Sequence, residues 1–185
     1  MDLGSVAAIV LVGGGLGALA GALVHAVAVR LPADLDPLGA PVCTACGALF
    51  GAGGLVPFRR PACPRCGIPA HWAKVATEVA AAAIVIAALL LRGLTYWGVS
   101  GAIFSLLLLV ILRIDWQHHL IYTATIVPGL AVALVAAALH SPGMLLSAGI
   151  AAVGAGLFFA LLFGLAILLY RQRALGFGDI LLAVL

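Results

Sequence analysis

The sequence predicts an all-α polytopic membrane protein, a bundle of about six transmembrane helices with one small polar loop domain, and three observations carry that expectation. Of its 185 residues 65% are hydrophobic and 8% charged, with mean hydropathy +1.30. A soluble domain has about a quarter of its residues charged, so no water-facing surface can be assembled here. Apolar runs of spanning length recur along the chain, and a backbone in hydrocarbon must satisfy its own hydrogen bonds. The runs are continuous and rich in Leu, Ala and Val, without the alternation of strands.

These runs occupy approximately 5–29, 75–91, 96–114, 121–139 and 144–170, and a sixth starts near 176. The first is too long for the hydrophobic region of a signal peptide and lacks a basic start, so it reads as a retained helix. Its Gly13, Gly17 and Gly21 fall four apart and offer a flat face for close helix packing, which His25 continues by one turn. Residues 31–73 differ in kind, with seven of the nine prolines and all four cysteines. The expected organisation is therefore a first transmembrane helix over 1–30, a loop domain over 31–73 and a membrane core over 74–185.

Cations at the run ends give the orientation. Threading the runs alternately places Arg30, Arg59, Arg60, Arg65, Lys74, Arg113, Arg171 and Arg173 on one side and Arg92 on the other. Eight cations against one is the bias of a cytoplasmic face. The Cys-bearing loop, the end of the 96–114 run and the start of the last run then face the cytoplasm, with the N-terminus outside. Topology accounts for the net charge of +3, and no nucleic-acid partner is implied.

The cysteines form two pairs, Cys43-Thr-Ala-Cys46 and Cys63-Pro-Arg-Cys66, with sixteen residues between them. Each such turn aims two thiolates at one point, and two of them close a tetrahedron around Zn²⁺. Gly47 and Gly67 follow the pairs, where the turn favours a residue free to take positive φ. Two disulfides are the alternative, disfavoured in a reducing compartment. With four protein ligands and no open position, the metal is expected to be structural. His71 is left outside its shell.

Acidic residues are confined to Asp2, Asp34, Asp36, Glu78, Asp115 and Asp179. Glu78 reads as a first-turn acid favoured by the helix dipole. Asp115 ends the 96–114 run and Asp179 follows Gly176-Phe-Gly178, so the topology puts both at the same cytoplasmic depth. Two ionisable groups at matched depth mark a functional site. Paired carboxylates suit peptide hydrolysis: one, ionised, takes a proton from water, and the other, protonated, polarises the scissile carbonyl. Because a helix C-terminus disfavours negative charge and an N-terminus favours it, Asp179 is expected to be the base and Asp115 the acid.

Each residue also has a plainer reading. Asp179 fits the N-cap of the last helix, with Gly176 and Gly178 as its lead-in. Asp115 fits an interfacial residue paired with Arg113 or His118. His118 and His119 read as interfacial, and His25 as a packed polar residue.

Taken together the order Gly21-Ala-Leu-Val-His25-Ala-Val-Ala-Val-Arg30-Leu-Pro32, the two CxxC pairs, Val75-Ala-Thr-Glu78, Ile114-Asp115 with His118 and Ile121, and Gly176-Phe-Gly178-Asp179-Ile180 resembles the type IV prepilin peptidase family, GxGD-type membrane aspartyl proteases. The sequence departs from that pattern at Tyr122-Thr123, Gln117 and His25. The resemblance implies that Asp115 and Asp179 are the catalytic pair, supported by Gly176 and Gly178, and that Cys43, Cys46, Cys63 and Cys66 hold zinc. It also implies cleavage of the leader peptide of type IV prepilins or pseudopilins at the cytoplasmic face of a bacterial inner or plasma membrane. In many members the new N-terminus is also methylated with S-adenosylmethionine. The cation-rich loop is suited to approach acidic head groups. A helix starting at Gly178 would need roughly twelve more residues to cross the bilayer, so the sequence reads as truncated.

Two other classes fit less of the sequence. One is a catalytically inactive zinc-binding scaffold of a pilus or secretion assembly. The other is a transporter fragment with a proton-relay aspartate pair, although no inverted repeat or mid-membrane charge is visible. Neither accounts for the glycines before Asp179, which would let an extended substrate backbone approach the carboxylate.

Overall fold

A computed structural model of the chain describes residues 2–119, 121–170 and 177–185. Arg171, Arg173 and Gly176, used above for orientation and as site support, lie outside the described residues. Every regular element among those described is helical, and strand pairing is limited to two isolated bridges, Val42 with Leu49 and Ala62 with Pro69. Among the described residues, five helical stretches are long and apolar enough to cross a membrane: Leu3–Ala33, Trp72–Arg92, Tyr96–His118, Thr123–His140 and Pro142–Leu169. The protein is an integral membrane protein built of α-helices.

The chain folds into two compact units, one ending at His118 and the other beginning at His119. In the first unit α1 (Leu3–Ala8), a π-helical turn (Ile9–Gly13) and α2 (Gly14–Arg30) run on into a short 3-10 turn, Leu31–Ala33. Then come the loop domain, α3 (Trp72–Arg92) and α4 (Tyr96–His118). Small residues set the α2–α3 packing. A Cβ at Gly17 would lie 2.6 Å from Ala82 Cα, and one at Gly21 would lie 2.5 Å from Glu78 Cα. Backbones meet this closely only where one partner has no side chain, the way polytopic helices associate without a hydrophobic drive between them. The glycine face read from the sequence is thus the α3-facing side of the first span.

Local chemistry explains where these helices begin and end. The His71 side chain accepts the Ala73 N–H at 3.1 Å and caps α3. Gly93, at φ 65°, ends α3, and the Thr95 hydroxyl accepts the Gly98 N–H at 3.2 Å to start α4. His119, at φ 52°, stops α4 in a left-handed residue, a conformation His tolerates better than most side chains.

The second unit holds α5 (Thr123–His140), α6 (Pro142–Tyr170) and α7 (Phe177–Val184). Ser141 alone separates α5 from α6. Its hydroxyl accepts the Met144 N–H at 3.1 Å while Pro142 supplies the fixed φ of a first helical position. Helix α7 is seated by two glycines of its neighbours. A Cβ on Gly129 of α5 would lie 2.9 Å from Leu185 Cδ1, and one on Gly156 of α6 would lie 2.9 Å from Val184 Cγ2.

Candidate functional site

The two cysteine pairs fold as one motif used twice, twenty residues apart. Cys43 N–H donates to Ala48 O at 2.8 Å and Cys63 N–H to Ile68 O at 2.9 Å. Gly47 N–H donates to Cys43 O at 2.8 Å and Gly67 N–H to Cys63 O at 2.9 Å. Phe50 N–H donates to Pro41 O at 2.9 Å and Ala70 N–H to Pro61 O at 3.0 Å. Gly47 and Gly67 sit at φ 71° and 73°, the left-handed conformation their positions anticipate.

The result gathers four sulfurs. All four Sγ atoms lie within 4.8 Å of one another, with Cys43 to Cys66 at 3.7 Å and Cys46 to Cys63 at 3.5 Å. A disulfide would need about 2.0 Å, and the thiols are free. Four sulfurs tetrahedrally placed about 2.3 Å from one metal are about 3.8 Å apart, so the donor set fits a closed thiolate site. The Cys63 thiol is drawn down to about 6, first by the backbone N–H of Cys66, which favours the thiolate a metal requires. His71 is engaged with the Ala73 N–H.

The motif is fastened to the membrane helices by three cationic side chains that the sequence assigned only to orientation. Arg30, buried at the end of α2, donates to the carbonyls of Asp36 and Ala40, the latter at 2.6 Å. Gly39 leaves room for its guanidinium, since a Cβ there would lie 2.2 Å from Nη2. Arg60 donates to Ala70 O at 2.7 Å and stacks over the Trp72 ring at 4.0 Å. Lys74, also buried, donates to Val56 O at 2.9 Å, to Arg59 O at 3.1 Å and to the Glu78 carboxylate.

Glu78 corrects an expectation. Helix α3 begins at Trp72, so Glu78 stands in its second turn and not in the first. It is fully buried, paired with Lys74, and its other oxygen accepts the Phe58 N–H at 2.7 Å. Pairing within the protein, and not the helix dipole, accommodates this carboxylate; the helix starts upstream of the apolar run, which hid this from sequence periodicity.

Asp115 lies half-buried in the last turn of α4, next to fully buried Ile114. Among the described residues neither Arg113 nor His118 forms an ion pair with it. Beyond it, Gln117 and His118 line an open cleft of about 530 Å³ whose opposite wall is Cys43, Thr44, Ala45 and Gly47 of the first cysteine turn. Asp179 lies exposed in the first turn of α7, in the second unit. Its neighbour Gly178 is pressed against Ile121, where a Cβ would meet Ile121 Cβ at 2.7 Å. His25 lines a cavity of about 80 Å³ between α2 and the cysteine turns, together with Cys43, His71 and Lys74. Its Nδ1 has no hydrogen-bond partner among the described residues.

Among known proteins, the model of the type IV leader peptidase family matches residues 102–185. That stretch contains Asp115, Gly176, Gly178 and Asp179. No curated protein matches the chain. No solved structure matches it either.

Proposed function

We propose, from the match of residues 102–185 to the type IV leader peptidase family, that the protein is an aspartyl endopeptidase that removes the leader of prepilins or pseudopilins at the cytoplasmic face of the membrane. The observation that carries the reading is that the matched stretch includes both helix-end aspartates, Asp115 and Asp179, with the glycines before the second. Both sit in terminal turns of helices, where an extended peptide can reach a carboxylate without unfolding a span.

In this reading Asp179, in the first turn of α7, holds the negative charge and takes a proton from the attacking water. Asp115, near the C-terminal end of α4, starts protonated, polarises the scissile carbonyl and supplies the proton of the leaving amine. Gly178 keeps the chain before Asp179 free of a side chain. Cys43, Cys46, Cys63 and Cys66 hold zinc, which orders the loop and takes no part in the hydrolysis. Methylation with S-adenosylmethionine rests on the family resemblance alone. The cytoplasmic assignment rests on the cation bias.

The reading is tested by cleavage of a prepilin-like substrate in liposomes, by the 185-residue chain and by one extended past Leu185, with Asp115→Ala and Asp179→Ala in the active form. Loss of cleavage in both substitutions, with metal content unchanged, is expected. A folded, metal-loaded protein that cleaves at neither length a substrate accepted by an authentic family member would instead support the scaffold reading.

A further inference from the structure

The loop domain carries a surface that neither the metal nor the aspartates explain. Phe58 is 54% exposed, Trp72 66%, Val56 43% and Ile68 51%, in a loop otherwise rich in Pro and Gly. Exposed Arg59 and Arg65 and half-buried Arg60 lie among them, while the loop's two acids, Asp34 and Asp36, precede the first cysteine turn. Aromatic rings interleaved with arginines are the composition of a membrane interface, where each side chain has an apolar body and a polar or charged neighbour.

The turn that bears Phe58 is held in place and under strain. Phe58 is at φ 59°, a left-handed conformation that is an outlier for a bulky residue. Its N–H is taken by the Glu78 carboxylate, and the carbonyls on either side, Val56 O and Arg59 O, by Lys74. Two buried charges on α3 thus pin one exposed turn, a cost that persists only where the surroundings over-determine it.

Those anchors fix the depth of the turn. Glu78 lies fourteen residues from Arg92 at the far end of α3, about 21 Å along the helix axis. On the first span its level is marked by Gly21, eighteen residues from Leu3 and so about 27 Å from that end. The hydrocarbon core is about 30 Å thick, which leaves the Phe58 backbone about 3–9 Å inside its inner boundary. Trp72, six residues before Glu78 on α3, stands about 9 Å nearer the water, at that boundary.

We propose that the Val56–Arg60 turn and Trp72 form a membrane-surface anchor for anionic phospholipid, with Phe58 inserted inside the acyl boundary and Arg59, Arg60 and Arg65 on the lipid phosphates. The positive charge of the patch selects anionic over zwitterionic head groups. The anchor holds the cysteine turns flat against the bilayer. This inference depends on the membrane spans and not on the peptidase reading.

The experiment uses the full chain in vesicles of phosphatidylcholine, with or without phosphatidylglycerol. Trp97→Phe with Trp116→Phe leaves Trp72 as the single tryptophan, and phospholipids brominated high on the acyl chain serve as quenchers. Trp72 is expected to be quenched, more strongly when phosphatidylglycerol is present. Arg59→Gln and Arg65→Gln, which leave the Arg60 stack intact, are each expected to lower the ratio of docked to free loop roughly fivefold in anionic vesicles. Phe58→Asn suits the left-handed backbone, so it removes the ring without unfolding the turn and is expected to weaken quenching in both compositions. Retained metal shows that each variant is folded. A Trp72 quenched freely by aqueous acrylamide and not by brominated lipid overturns the proposal. Lipid quenching that disappears as protein is concentrated in the vesicle assigns the surface to a second copy and overturns it equally.

Discussion

Gly178 and Ile121 approach so closely that a Cβ at position 178 would lie 2.7 Å from Ile121 Cβ. The contact seats the start of α7, and with it Asp179, against the segment that leads into α5. Replacing Gly178 by Ala forces this contact apart. We expect a loss of about 1–3 kcal/mol in the stability of the second unit, the usual range for overpacking, and a matching fall in cleavage. Because the closest atom is Ile121 Cβ, Ile121→Ala does not restore Gly178→Ala, whereas Ile121→Gly does so in part. Thermal unfolding of the single and double variants decides it, and a neutral Gly178→Ala contradicts the contact.

Glu78 is the second position where one substitution has a large expected effect. Glu78→Ala leaves the Lys74 ammonium buried beside a Phe58 N–H that has lost its acceptor. Breaking a buried pair from one side costs about 3–5 kcal/mol, so this variant should unfold well before Glu78→Gln, which keeps an acceptor for Phe58. Equal melting temperatures for the two would contradict the network.

Helix packing supplies a third prediction. Gly21→Val places a branched side chain where a Cβ would lie 2.5 Å from Glu78 Cα, with α3 backbone and not a flexible chain end in the way. The α2–α3 pair must separate, and the variant is expected to lose the buried Glu78 environment and drop out of the folded fraction in detergent. Gly15→Val, at a glycine with no neighbour within 4 Å, is the matched control and should fold normally.

These positions show what a linear sequence discloses and what it hides. The spans were legible because hydropathy is additive along a chain, and the Gly13, Gly17, Gly21 face because helical spacing is fixed. The cysteine turns were legible because CxxC and the following glycine act locally, within five residues. Gly129 and Gly156 were not, since each matters only through a residue of α7 or just beyond it, far away in sequence. Lys74 and Arg30 were counted as topological charges because a sequence does not say which cations are buried. The role of Phe58 depends on the acceptor that Glu78 presents from twenty residues away.

Metal removal and pH make a fourth test. Substituting any one of Cys43, Cys46, Cys63 or Cys66 by Ser, or chelation, should release one zinc and open the loop to protease while the spans stay folded. The folded-state pKa of Cys63 is lowered, from an ordinary 9.0 to about 6, so its thiolate contributes stability in full above pH 9. That contribution fades as pH falls and is gone below about 6. A bound metal holds the sulfurs as thiolates, so zinc should be lost only on further acidification, below this window, where protons compete for them. Zinc retained in full in strong acid would contradict a thiolate site.

The proposed roles of Asp115 and Asp179 in hydrolysis are tested by the rate of leader cleavage by Asp115→Asn and Asp179→Asn proteins in liposomes. Both substitutions keep size and hydrogen-bonding capacity and remove the titrating proton. Each is expected to lower the rate at least about a hundredfold, with zinc content and melting temperature unchanged. Cleavage near the unsubstituted rate in either variant would contradict it.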